Sequence, residues 1–183
     1  MGRQRDCLET AATPLAGLTR PPHDYLMTET PKGSGRLLTP GEIALAKSVY
    51  RDSVNLAGVE VRRKKWAFFQ PKHTVMAPCG HLHLHPESDM WSEDFSKEAL
   101  GSQGLLLHEL CHVWQTQRGV YLPLARHPFC RYSYTLKPGW KLQRYGLEQQ
   151  AEIVRHAFLM RQGYPVPGAP PLSFYEALLG VFR

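Results

Sequence analysis

The chain has 183 residues, enough for one domain with a core of its own, and a formal net charge of +6. The basic residues are scattered apart from Arg62-Arg63-Lys64-Lys65, and no nucleic-acid motif accompanies that run, which argues against a nucleic-acid partner. No stretch approaches the roughly 18 apolar residues of a membrane span, and Cys7, Cys79, Cys111 and Cys130 are too dispersed for a cysteine zinc cluster, so free thiols in a reducing compartment are expected.

Residues 1–37 are rich in Pro, Thr, Gly and charge and have little periodicity; a flexible N-terminal arm is expected there. The first residues lack the apolar core of a signal peptide. Cytoplasmic residence follows, with export by a route that needs no cleaved signal left open. A single domain is expected over 38–183. It begins with LTPGEIALAKSVY, where Thr39 caps a helix, Pro40 takes its first position and Glu42 its first turn. Strand-like runs follow at 59–63, 64–70 and 73–77. GHLHLHPE at 80–87 alternates strictly, which puts His81, His83 and His85 on one strand face.

The next helix is predicted over about 101–118, stopped by Gly119. The segment 120–140 reads as an ordered loop. A second strong helix is predicted over about 143–162, ending at Gly163, and a short terminal helix is capped by Ser173.

The chemistry lies in LLLHELCHVWQ, residues 105–115. On a helix, His108 and His112 stand about 40° apart on one face, while Leu106, Leu110, Val113 and Trp114 cluster on the other. Two imidazoles one turn apart can share one zinc ion, and Glu109 sits beside them, where a general base for water belongs. Cys111 flanks the pair and reads as a buried packing thiol. The later helix offers Glu148 and Glu152, four apart on one face. One carboxylate can complete a His-His-Glu site and the other can hold a ligand histidine's second N–H; the helix geometry permits either order.

H-E-x-x-H followed by E-x-x-x-E on a later helix resembles the gluzincin metallopeptidases. That resemblance implies His108, His112 and Glu148 as ligands of one zinc per chain, Glu109 as base and Glu152 as support for a ligand histidine. Those families have Asp at the last position, where this chain has Glu. The pattern L-T-P-x-E, then strands, then L-L-x-H-E-x-x-H-V-x-Q, over about 38–160, is similar to bacterial Vgr-related proteins found beside type VI and other contractile injection systems. This implies a secretion context, with a spike component as partner. In gluzincin-like folds an edge strand lines the cleft and pairs with extended substrate, and His81, His83 and His85 mark the candidate strand; the same three side chains could instead hold a second metal. For the oxyanion, the candidates are His127, Tyr132, Tyr134 and Tyr145.

The fold expected is therefore α+β and zincin-like: an active-site helix and a glutamate helix packed with a small mixed, partly antiparallel sheet. The function expected is zinc-dependent hydrolysis of a peptide or protein substrate. Two rivals remain: a non-catalytic zinc-containing assembly protein of a secretion apparatus, and a cell-wall amidase.

Overall fold

A computed structural model describes residues 29–125 and 132–183. The architecture is α+β. Strand β1 (Gly35–Leu37) pairs antiparallel with β2 (Glu60–Arg62), which pairs parallel with β3 (Leu82–His83). The sheet is mixed, with order β1-β2-β3. Val61, Leu82 and Leu84 are buried on its inner side.

Helix α1 (Pro40–Tyr50) starts as its sequence predicts. The Thr39 hydroxyl accepts from the Glu42 N–H and the Glu42 carboxylate accepts from the Thr39 N–H. The Glu42 carboxylate has two further partners that the sequence hid. It accepts both guanidinium nitrogens of Arg36, each at 2.8 Å, and the Phe95 N–H at 2.8 Å, and it is fully buried. Removing one partner of such a pair strands the other charge. Glu42→Ala should cost about 3–5 kcal/mol of stability in urea unfolding; a loss below about 1 kcal/mol, the range of an exposed pair, would show that the pair does not hold β1 to α1.

Helix α2 (Leu100–Gln117) is the centre of the molecule and is buried almost all round from Leu106 to Gln115. It packs chiefly on α4 (Leu147–Arg161). A short α3 (Leu122–Ala125) follows α2, and the terminal α5 (Leu172–Leu179) rests on α4. Phe182 closes the base of the core, edge-on to Tyr50 at 4.8 Å and to Trp114 at 5.3 Å.

Several expectations are corrected. Residues 29–37 are ordered: β1 lies within them, and both the N–H and the hydroxyl of Thr30 donate to the Glu93 carboxylate. Residues 1–28 lie outside the described residues. The run 64–70 is a turn rather than a strand, because buried Gln70 accepts from the Trp66 N–H and donates to Thr74 O and His83 O. Residues 73–77 contribute an isolated bridge, Met76 to His83. The predicted helix 143–162 starts four residues later, after a 3-10 turn at Leu142–Arg144 and Gly146. Ser173 is inside α5 and caps nothing; the helix follows Pro171. Cys111 is free and buried, but Cys79 is disulfide-bonded, against the expectation of free thiols. Pairing depends on what the fold brings together, which sequence spacing does not encode. Cys7 and Cys130 lie outside the described residues.

Candidate metal centre

Helix α2 presents His108 and His112, and α4 presents Glu148 between them. Glu148 Oε2 is 3.3 Å from His108 Nε2 and 3.3 Å from His112 Nε2. All three residues are buried, and they are the group of potential ligands found among the described residues. Atoms about 2.0–2.1 Å from a tetrahedral zinc stand roughly 3.3 Å apart. The two separations therefore suit one small cation without rearrangement.

The His112 tautomer suits it as well. His112 Nδ1 is 2.8 Å from Gln115 Oε1, and an amide oxygen only accepts, so Nδ1 carries the proton and Nε2 offers its lone pair. His108 Nδ1 faces Glu152 Oε1 at 2.9 Å, an ion-pair contact rather than an aligned hydrogen bond. His112 Nε2 and Glu109 Oε2 are buried without a hydrogen bond. Buried polar atoms are seldom left so unless a ligand satisfies them. The residues present thus fit a metal ion: His108, His112 and Glu148 could hold it, with Glu109 alongside.

Glu152 is the hub of a wider network. Its Oε2 is 3.2 Å from His156 Nε2, and His156 Nδ1 is 2.5 Å from the Tyr134 hydroxyl, which donates to Tyr175 Oη at 3.1 Å. Burial pushes the His108 pKa down, but the carboxylates of Glu148, Glu152 and Glu109 outweigh it and hold it up at about 9. A cation at Nε2 must displace that proton, so binding should tighten as pH rises towards 9. Burial also opposes the charge on Glu152, yet His108, His156 and Arg155 keep its carboxyl well below the usual range.

A cleft of about 440 Å³ opens on this group, lined by His73, Thr74, Val75, Glu109, Tyr132 and Arg155 among others. Met76 spends its N–H and C=O on His83. By alternation, the backbone groups of Val75 and Ala77 turn the other way. Residues 73–75 therefore line the cleft, and β3 lies behind this segment. The histidines of the alternating run have separate tasks. His81 Nδ1 accepts from the Glu60 N–H, His85 Nδ1 from the Glu87 N–H, and His83 Nδ1 lies 3.2 Å from Lys64 O. Burial, aided by Arg62, lowers the His83 pKa to about 4. None of the three lines the cleft, and they form no group of potential metal ligands among the described residues.

Of the oxyanion candidates, Tyr132 is the one at the cleft, its ring stacked 6.1 Å from that of His108. Tyr134 is tied into the Glu152 network, Tyr145 is buried with its hydroxyl accepting from the Lys137 N–H, and His127 lies outside the described residues. Burial pushes the Cys111 thiol far up, which removes it as a nucleophile. Sequence reasoning missed Gln115, His156 and Arg155. Gln115 is three residues past His112, and His156 four past Glu152; helical spacing was the available signal.

No family model matches the chain. It is 41% identical over 139 residues to the type VI secretion system spike protein VgrG2b of Pseudomonas aeruginosa, an alignment covering 72% of this chain and 14% of that protein. It is also similar to the solved effector domain of Pseudomonas aeruginosa VgrG2b, at 36% identity and a TM-score of 0.66, over 85% of this chain and 86% of that one. The chain belongs to the family of the VgrG2b effector domain. Its relation to VgrG2b as a whole is partial, since it spans 14% of the spike protein's length.

Proposed function

We propose that this member of the VgrG2b effector-domain family is a zinc-dependent peptidase. The observation that carries the reading is the buried triangle of His108 Nε2, His112 Nε2 and Glu148 Oε2, with the Glu109 carboxylate beside it at the cleft. On this reading the fold is zincin-like, with α2 as active-site helix and α4 as glutamate helix. When bound, zinc supplies a Lewis acid that polarises a carbonyl and acidifies water. The chain's own residues do the rest. Glu109 takes a proton from the attacking water and passes it to the leaving amine. Tyr132, which lines the cleft, would donate its phenol to the developing oxyanion. The backbone of residues 73–75 along the cleft would receive the peptide as an added strand.

Relatives in a type VI spike support a place in such a secretion system, with a spike component as partner. The disulfide at Cys79 agrees with a protein that leaves the reducing cytosol.

The test is metal content together with a peptide-library cleavage screen. Protein purified without added metal should carry about one zinc, released as pH falls and bound more tightly at pH 8 than at pH 6. Folded protein that takes up no zinc would overturn the metal centre. Zinc uptake with peptidoglycan turnover and no peptide cleavage would move the assignment to an amidase.

A further inference from the structure

Residues Ala67–Gln70 form a turn in which the Gln70 N–H donates to Ala67 O at 3.0 Å. Its two central residues are Phe68 and Phe69, which are 78% and 60% exposed and stand edge to face at 5.2 Å. Such positions ordinarily go to Gly, Pro, Asn, Asp or Ser, which lose nothing by facing water. Two adjacent phenyl rings there leave most of their area in water, and an exposed apolar patch of this kind marks a contact surface.

The turn is also held in place. Gln70 is buried; its Oε1 accepts from the Trp66 N–H at 2.9 Å and its Nε2 donates to Thr74 O and His83 O, each at 2.8 Å. The rings therefore project from a scaffold that is braced to β3. Around them stand Lys64, Lys65 and Lys72, of which Lys64 and Lys72 are exposed. The neighbouring Arg62 and Arg63 pair with Glu60 and Glu29, whereas among the described residues Lys64, Lys65 and Lys72 make no carboxylate contact within 4.0 Å, Lys72 acting on the Glu87 carboxylate only from a distance. Lys65 Nζ rests 3.4 Å from Phe68 O, which keeps its positive charge at the foot of the turn.

We propose that the Phe68–Phe69 turn docks this protein on a lipid bilayer carrying anionic headgroups, the two rings entering between the lipids while Lys64, Lys65 and Lys72 meet the phosphates. A bilayer interface is layered in this way, apolar below and negatively charged above, and an apolar tip flanked by ammonium groups complements both layers at once. The net charge of +6 adds a long-range attraction of the same sign. His73, Thr74 and Val75, which follow directly, line the metal cleft. Docking would hold the cleft mouth close to the membrane surface. The inference does not depend on the hydrolytic reading and is tested without substrate.

The experiment is co-sedimentation of the full chain with vesicles of phosphatidylcholine alone and of phosphatidylcholine mixed equally with phosphatidylglycerol, at low and high salt. The chain should pellet with the anionic vesicles, much less with neutral ones, and less again at high salt. Phe68→Ser/Phe69→Ser should weaken binding at least tenfold at an unchanged melting temperature. Lys64→Gln/Lys65→Gln/Lys72→Gln should weaken it similarly and flatten the salt dependence. Absence of binding to anionic vesicles, equal binding to both lipid mixtures, or full binding by the double Phe variant would each overturn the proposal. So would Phe-dependent binding to a purified spike protein with none to vesicles, which would assign the turn to a protein partner.

Discussion

Glu109→Gln should abolish most turnover while leaving the metal centre intact. The substitution keeps the side chain's size but cannot accept a proton at neutral pH. The three potential ligands are His108, His112 and Glu148, and Glu109 is not among them. Zinc content and melting temperature should therefore match the parent. The rate on a substrate found by library screening should fall by on the order of 10²–10⁴, the range for loss of a general base. Cleavage at the parent rate by a zinc-loaded Gln variant would show that Glu109 is not the base, and the mechanism would have to be rebuilt around another group at the cleft.

The two glutamates of α4 should separate sharply. Glu148 Oε2 is equidistant from the Nε2 atoms of His108 and His112, whereas of these two histidines Glu152 meets only His108, at the far nitrogen. Glu148→Ala leaves two protein ligands and should strip zinc at micromolar free metal. Glu152→Ala removes the carboxylate that faces His108 Nδ1 and should weaken zinc by roughly 10–100-fold. Competition with a chromophoric chelator reads both. Metal loss in the Glu152 variant alone would reverse the two roles.

These roles illustrate what a linear pattern carries. The placement of His108 and His112 on one face, with Glu109 beside them, was legible because helical periodicity is local: the residues that share a face are fixed once the helix is. The order of Glu148 and Glu152 was not, because both share a face and only the approach of α2 distinguishes them. The alternating histidines misled for a related reason. Strict alternation assigns side chains to two faces but does not say what covers the strand's edge; the bridge from Met76 to His83 covers it, and residues 73–75 take the place at the cleft. Arg36 beneath Glu42 and Gln70 beneath its turn are long-range satisfactions of buried polar groups. They follow from tertiary placement and leave no mark on a short window of sequence.

The candidate centre is divided between two helices whose potential ligands lie 40 residues apart in the chain, His108 to Glu148. An ion shared across that division would be a removable clasp. It closes a long loop as a disulfide does, but its strength varies with free metal and with pH, and chelation undoes it without a reductant. Cohesion between α2 and α4 then becomes a property of the surroundings. On the zinc reading, where zinc is scarce or the medium acidic the two helices would be held by side-chain packing and the hydrogen bonds of Gln115 to Leu147 and Gln150, and would open more readily; where zinc is plentiful, the same polypeptide would set firm.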